Sequence, residues 1–223
     1  MPVRVLVISP HPDDETLGCG GTLLKHADRG DELFWIIVTS MSTEAGFEIE
    51  RVKRRDEELI AVSKAYGFRE VIKLGFPAAG LDTVPKAGLI KRLSEAFSVL
   101  KPETIYLPHP GDIHSDHRAA SEAALSAAKA FRCPWIRRIS AYETLSETEF
   151  APPFASRAFL PNSFSDITGS LERKIEIMET YAGETGEHPF PRSRDSIRAL
   201  AALRGATAGV KYAEAFMALK EIW

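Results

Sequence analysis

The turn His11-Pro12-Asp13-Asp14-Glu15 gathers an imidazole and three carboxylates. Much later, His109-Pro110-Gly111-Asp112-Ile113-His114-Ser115-Asp116-His117 has the same make-up. A hydrolytic zinc site commonly takes three protein ligands from His and carboxylate side chains and leaves one position for water. His11, Asp14 and His117 supply such a set. The i, i+3 spacing lets His11 and Asp14 face one point, and His117 opens the helix that follows its motif. Asp13 then flanks the metal as a free carboxylate, able to take a proton from the attacking water. His114 lies three residues before His117 and projects into the same cavity. There, as an imidazolium, it can stabilise a developing oxyanion or protonate a leaving amine. Asp116 is a candidate outer partner that orients one of these histidines.

Both motifs follow apolar runs that read as buried parallel strands, Val3 to Ser9 and Thr104 to Leu107. Further strands are expected over Glu32–Thr39, Val71–Leu74 and Arg138–Tyr142. Helices are expected over Leu17–Arg29, Phe47–Tyr66, Pro85–Lys101 and Ser115–Phe131. In the third of these, Leu89, Ile90, Leu93, Phe97 and Leu100 recur at helical spacing. Alternating strands and helices predict an α/β fold with a mainly parallel sheet covered on both faces. Ligands bind such sheets outside the carboxyl ends of the strands, where strand order reverses. The common order 3-2-1-4-5 makes strands one and four neighbours at that point, which brings the two motifs together. The polar segment Ser40–Gly46 is expected to loop over the strand ends. After Glu143 the rhythm breaks. Helical patterns at Ser170–Tyr181 and Ser193–Thr207 flank a loop at Gly183–Pro191. Residues 151–223 are expected to form a cap or subunit-contact region of one domain spanning 1–223.

The chain has 223 residues, 44% of them hydrophobic and 26% charged, with a formal net charge of −3. That is an ordinary globular composition without a basic footprint for nucleic acid. Cys19 and Cys133 fit no zinc-ribbon spacing, so a reducing cytoplasm is the simplest compartment. No apolar run approaches a membrane span. Met1 leads directly toward strand one, without a signal-peptide pattern.

The pair of motifs, HPDDE with a glycine cluster and a later HSDH, resembles the LmbE-like (PIG-L) zinc-dependent N-deacetylases. Arg55-x-x-Glu58 with Gly67 is similar to that family's helix after strand two. The tail Ala199–Gly205, with Tyr212-Ala213-Glu214-Ala215-Phe216, is similar to the ending of many bacterial members. The resemblance implies a Rossmann-like three-layer sandwich and removal of acetyl groups from N-acetylglucosamine units of small conjugates. It implies His11, Asp14 and His117 as ligands of Zn²⁺ or another divalent first-row ion, and Asp13 as general base. His114 corresponds to the histidine that assists the oxyanion or leaving group. Arg55 falls where members carry an arginine near the substrate, with Arg54 one position away. Tyr212 is a further candidate for substrate contact. A homo-oligomer, trimer or hexamer, is also implied. Where many members have a glycine-bearing acidic loop, this chain has Ser40-Met41-Ser42-Thr43-Glu44-Ala45-Gly46.

Plainer readings compete for some residues. Asp13 and Asp14 suit a helix N-terminus. The cluster Gly18-Cys19-Gly20-Gly21 lacks the dinucleotide spacing and fits close packing of a helix on the sheet. His109 shapes its turn, His26 reads as a surface residue, and the Arg51–Arg55 run reads as a solvated helix face. The expected activity is hydrolysis of an acetamide on an amino sugar. The alternatives are an amidase for another acyl amine or a thiol-conjugated sugar, and a silent sugar- or nucleotide-binding module.

Overall fold

The computed structural model describes residues 2–44 and 46–223, so Met1, and Ala45 within the Ser40–Gly46 segment, lie outside it. A seven-stranded sheet has the order β3-β2-β1-β4-β5-β7-β6. Its strands are β1 (Arg4–Ser9), β2 (Glu32–Ser40), β3 (Glu70–Pro77), β4 (Thr104–Pro108), β5 (Arg138–Tyr142), β6 (Ser163–Asp166) and β7 (Ala213–Glu221). The first five are parallel, and β7 runs antiparallel to both β5 and β6. The helices are α1 (Asp14–Asp28), α2 (Ile49–Tyr66), α3 (Lys86–Leu100), α4 (Ser115–Ala127), α5 (Leu171–Met178) and α6 (Arg194–Ala208). No helix among the described residues is long and apolar enough to cross a membrane.

Successive strand residues point to opposite faces, and the two faces have separate cores. Leu6, Ile8, Phe34, Ile36 and Val38 pack on α3 and α4. Val5, Val7, Leu33, Trp35 and Ile37 pack on α1, α2, α5 and α6. This two-sided burial explains why the strands read as unbroken apolar runs, and it makes the three-layer sandwich.

The C-terminal third extends the sheet through β6 and β7. The connection between α5 and α6 reaches the strand ends through Arg192, and the segment before β6 does so through the Arg157 carbonyl beside His109. β6 is four residues long and its sequence, SFSD, is mostly polar, so it carries no strand signal of its own. It pairs with β7 at the sheet edge.

The glycine cluster lies inside α1, at a break where Cys19 has φ −146° and ψ 19°. A side chain on Gly18 would collide with the Tyr142 ring, and one on Gly21 would meet Ile167 at 2.7 Å. The Gly21 and Thr22 N–H groups freed by the break donate to the Glu214 carboxylate, each at 2.8 Å. Lys174 Nζ neutralises that buried carboxylate at 2.7 Å and donates to the Leu17 carbonyl. The close packing expected of these glycines is therefore present, and a buried ion pair supports it.

Candidate metal centre

β1 and β4 are hydrogen-bonded neighbours, with Val7 opposite Tyr106. Their carboxyl ends release the two motifs side by side at the point where strand order reverses. After β1 the chain turns sharply into α1. Asp13 takes φ 117°, a costly conformation for a residue with a side chain. Its carbonyl accepts from the N–H groups of Thr16 and Leu17 and so starts the helix. The helix thus begins at Asp14, earlier than the apolar pattern suggested. Glu15, fully buried, holds the turn from within. It accepts the Asp13 N–H at 3.1 Å, the Thr16 hydroxyl at 2.6 Å and the Tyr181 hydroxyl at 2.7 Å. After β4, His114 caps α4, its Nδ1 accepting from the Asp116 N–H at 3.1 Å. His117 sits in the first turn of that helix.

His11, Asp14 and His117 converge, with one donor atom from each lying within 4.8 Å of the others. His117 Nε2 is 3.3 Å from Asp14 Oδ1, and His11 Nδ1 is 3.5 Å from Asp14 Oδ2. A tetrahedral ion with bonds near 2.1 Å has ligand–ligand edges of about 3.4 Å. His117 Nε2 is buried and has no hydrogen-bond partner. A buried imidazole nitrogen and a carboxylate oxygen set at this separation, without a hydrogen bond joining them, suit two ligands of one cation.

A second cluster, His11, His114 and Asp116, is also compact. Its donors are already committed. Asp116 accepts from the N–H groups of Ala79 at 2.7 Å and Leu81 at 2.9 Å and contacts His11 Nε2 at 3.0 Å. His114 Nδ1 is occupied as the helix cap. The first cluster is therefore the one suited to an ion, and Asp116 lies where it can orient His11.

The charges answer to these contacts. Burial alone would lower His117, but the Asp14 charge and the hydrogen bond to Asp112 lift it to about 10. His11 rises to about 9 against its burial, through its hydrogen bonds to Asp116 and Asp14. Asp14 is held well below the usual carboxylate range, since His117 and His11 outweigh its burial. Asp13 is pushed well above that range by burial and by the adjacent Asp14 charge, with Arg192 opposing. Burial and the charges of His11 and His117 lower His114. Its Nδ1 accepts from the Asp116 N–H, which leaves Nε2 as the nitrogen that can carry a proton toward the cavity.

Several groups escaped the sequence reading. Asp112 Oδ2 lies 2.8 Å from His117 Nδ1, and its Oδ1 accepts from the Thr148 hydroxyl at 2.6 Å. Its place inside the second motif, five residues before His117, was the available signal. Arg192 Nη1 lies 2.6 Å from Asp13 Oδ2 and also contacts Glu184, while its Nη2 contacts Glu147. No local pattern marks Arg192, which comes from the connection before α6.

His11, Asp13 and His114 line a cavity of about 450 Å³. Arg55 lines it too, held by Glu58 at 3.3 Å and by Glu184. Tyr212 does not line it. It is half-buried and packs against the core on the α1, α2, α5 and α6 side of the sheet. His26, expected at the surface, is half-buried between Asp31 and the Tyr106 hydroxyl.

The profile of the GlcNAc-PI de-N-acetylase (PIG-L) family matches residues 6–128, which hold both motifs. The chain is 28% identical to diacetylchitobiose deacetylase of Thermococcus kodakarensis, over 95% of this chain and 81% of that protein. It is 27% identical to 2'-N-acetylparomamine deacetylase of Streptomyces fradiae, over 94% and 84% respectively. Among solved structures, the conserved protein TT1542 from Thermus thermophilus superposes with a TM-score of 0.79. It is 27% identical, with 99% of this chain and 96% of that chain covered. With more than half of its length inside the family profile, the chain belongs to the PIG-L de-N-acetylase family.

Proposed function

We propose that this deacetylase uses Zn²⁺, or a similar divalent ion, held by His11, Asp14 and His117, to remove acetyl from an N-acetylglucosamine-type sugar or conjugate. The observation that carries the reading is the convergence of His11, Asp14 and His117, with the buried His117 Nε2 facing Asp14 Oδ1 at 3.3 Å. The chemistry supplied by such an ion is polarisation of the amide carbonyl and activation of water. The protein supplies the proton handling. Asp13 takes the proton of the attacking water and, with its affinity for protons raised by burial, returns it to the departing amine. Arg192 fixes the Asp13 carboxylate at 2.6 Å. His114, donating through Nε2–H, stabilises the carbonyl oxygen as it becomes negative. Asp112 and Asp116 hold His117 and His11 in their orientations.

The relatives named for diacetylchitobiose and N-acetylparomamine support an amino-sugar substrate. Both cysteines are buried and unpaired, which suits a reducing cytoplasm. One domain over 1–223 and a trimeric or hexameric assembly complete the reading, the latter checked by light scattering. The decisive experiment incubates zinc-loaded protein with N-acetylated sugars and conjugates and measures acetate and new primary amine. Equimolar release of both is expected. Metal-replete protein that binds these sugars without releasing acetate would be a binding module instead.

A further inference from the structure

Five apolar side chains of the cavity wall take no part in the hydrolytic machinery: Ile37, Met41, Phe47, Val52 and Leu59, which line it together with Thr39, Ser40 and Arg51 of the same segments. Ile37 and Leu59 belong to the buried core, so that part of the wall is fixed. Met41, Phe47 and Val52 are half-buried and come from the segment joining β2 to α2 and from the first turn of α2. These side chains offer no strong hydrogen-bonding group.

Charge along the cavity is largely cancelled. Arg55 is paired with Glu58 and Glu184, Lys73 with Asp56, and Arg192 with Asp13, Glu147 and Glu184. Arg51 has no carboxylate partner among the described residues. It is exposed, and its guanidinium covers the Phe47 ring at 5.5 Å. The volume, about 450 Å³, falls within the roughly 300–1,000 Å³ of pockets that enclose a drug-sized ligand.

We propose that this wall is a subsite for an apolar substituent on the amino sugar, an alkyl or aryl aglycone. The choice of amino sugar rests on the deacetylase reading above. A second hydroxylated sugar would lose water along this wall without regaining hydrogen bonds. Among the described lining residues, an anionic aglycone would find one cation without a carboxylate partner, the exposed, solvent-screened Arg51. An apolar group gains in proportion to the area it buries, and the Phe47 ring gives it a flat surface.

The test compares kcat/KM of zinc-loaded enzyme for N-acetylglucosamine, its phenyl and octyl glycosides, diacetylchitobiose and a carboxylate-bearing glycoside. The phenyl and octyl glycosides should exceed the free sugar and the disaccharide by at least about tenfold, mostly through KM. Phe47→Ala and Val52→Ala should shrink that ratio, and Phe47→Leu should recover part of it. The subsite is overturned if the glycosides match the free sugar, or if the disaccharide or the carboxylate-bearing glycoside is preferred. It is equally overturned if a longer N-acyl chain, rather than the aglycone, raises the rate. Calorimetric titration with the octyl glycoside reads the subsite apart from turnover. Binding about tenfold tighter than the free sugar without acetate release would keep the subsite and overturn the deacetylase reading. Equal binding of the two would overturn the subsite while leaving that reading intact.

Discussion

Arg192 Nη1 lies 2.6 Å from Asp13 Oδ2, joining residues 179 positions apart beside the candidate metal centre. Burial and the Asp14 charge drive Asp13 toward its protonated form, and Arg192 opposes them. Arg192→Met removes that opposition, so the Asp13 carboxyl rises further. A general base must be ionised to act, so activity should disappear at a higher pH as acid is added. The acid limb of kcat/KM should therefore move upward in pH while metal content stays at the wild-type level. An unmoved limb would remove Arg192 from any role in setting Asp13.

Asp13 and Asp14 respond differently to one substitution. Asn preserves shape and removes charge and basicity. Asp13→Asn should retain metal yet lower kcat by about 10²–10⁴-fold, the range for a lost acid–base group. Asp14→Asn should weaken metal binding, and added zinc should recover part of its activity. Metal analysis beside turnover separates the two, and a reversal of the pattern would exchange the roles.

Asp112 and Asp116 make a second contrast. Asp112→Ala leaves His117 Nδ1 without its carboxylate and should weaken metal affinity by about 10–100-fold in chelator competition. Asp116→Ala also strips the N–H groups of Ala79 and Leu81 of their acceptor. It should therefore lower the unfolding midpoint of the metal-free protein as well, which Asp112→Ala should do less.

What could be read from the sequence follows from what is local. The first motif is legible because strand, turn and helix lie within a few residues, and the order reversal at β1 and β4 follows from the strand–helix alternation. His117 and Asp14 could be paired before any contact was visible. Arg192 could not, because only the path of the chain from α5 to α6 carries it to Asp13. Glu214 and Lys174 were equally silent, since their meeting depends on the break in α1 at Cys19 and on β7 joining the sheet. β7 itself, AEAFMALKE, alternates only weakly and pairs antiparallel with distant partners, so it read as a tail.

The Lys174–Glu214 pair should be costly to break. Glu214 is 5% exposed and Lys174 4% exposed, and the carboxylate also carries two backbone N–H groups of α1. Lys174→Met leaves that charge buried and unpaired, a loss of about 3–5 kcal/mol. Urea unfolding measures it. The double variant Lys174→Met/Glu214→Gln should be less destabilised than the sum of the singles, because the orphaned charge is gone.

Metal uptake should be coupled to protons. In the metal-free protein His11 and His117 are held up to about 9 and about 10, from an ordinary 6.5. At pH 8 both rings are charged, and both must lose a proton to become ligands, so about two protons should leave per ion bound. Affinity should rise with pH over this range. The same shifts fix the sign for the metal-free fold. A raised imidazole contributes its full stability below the unfolded value of 6.5 and loses it as pH climbs through the folded value. The urea midpoint of chelated protein should therefore fall between pH 6.5 and pH 9–10, and His117→Ala should flatten that slope. Zinc titrations in buffers of different ionisation enthalpy count the released protons. A count near zero at pH 8 would mean that the imidazoles are neutral before the ion arrives, and that Asp14 does not hold them charged.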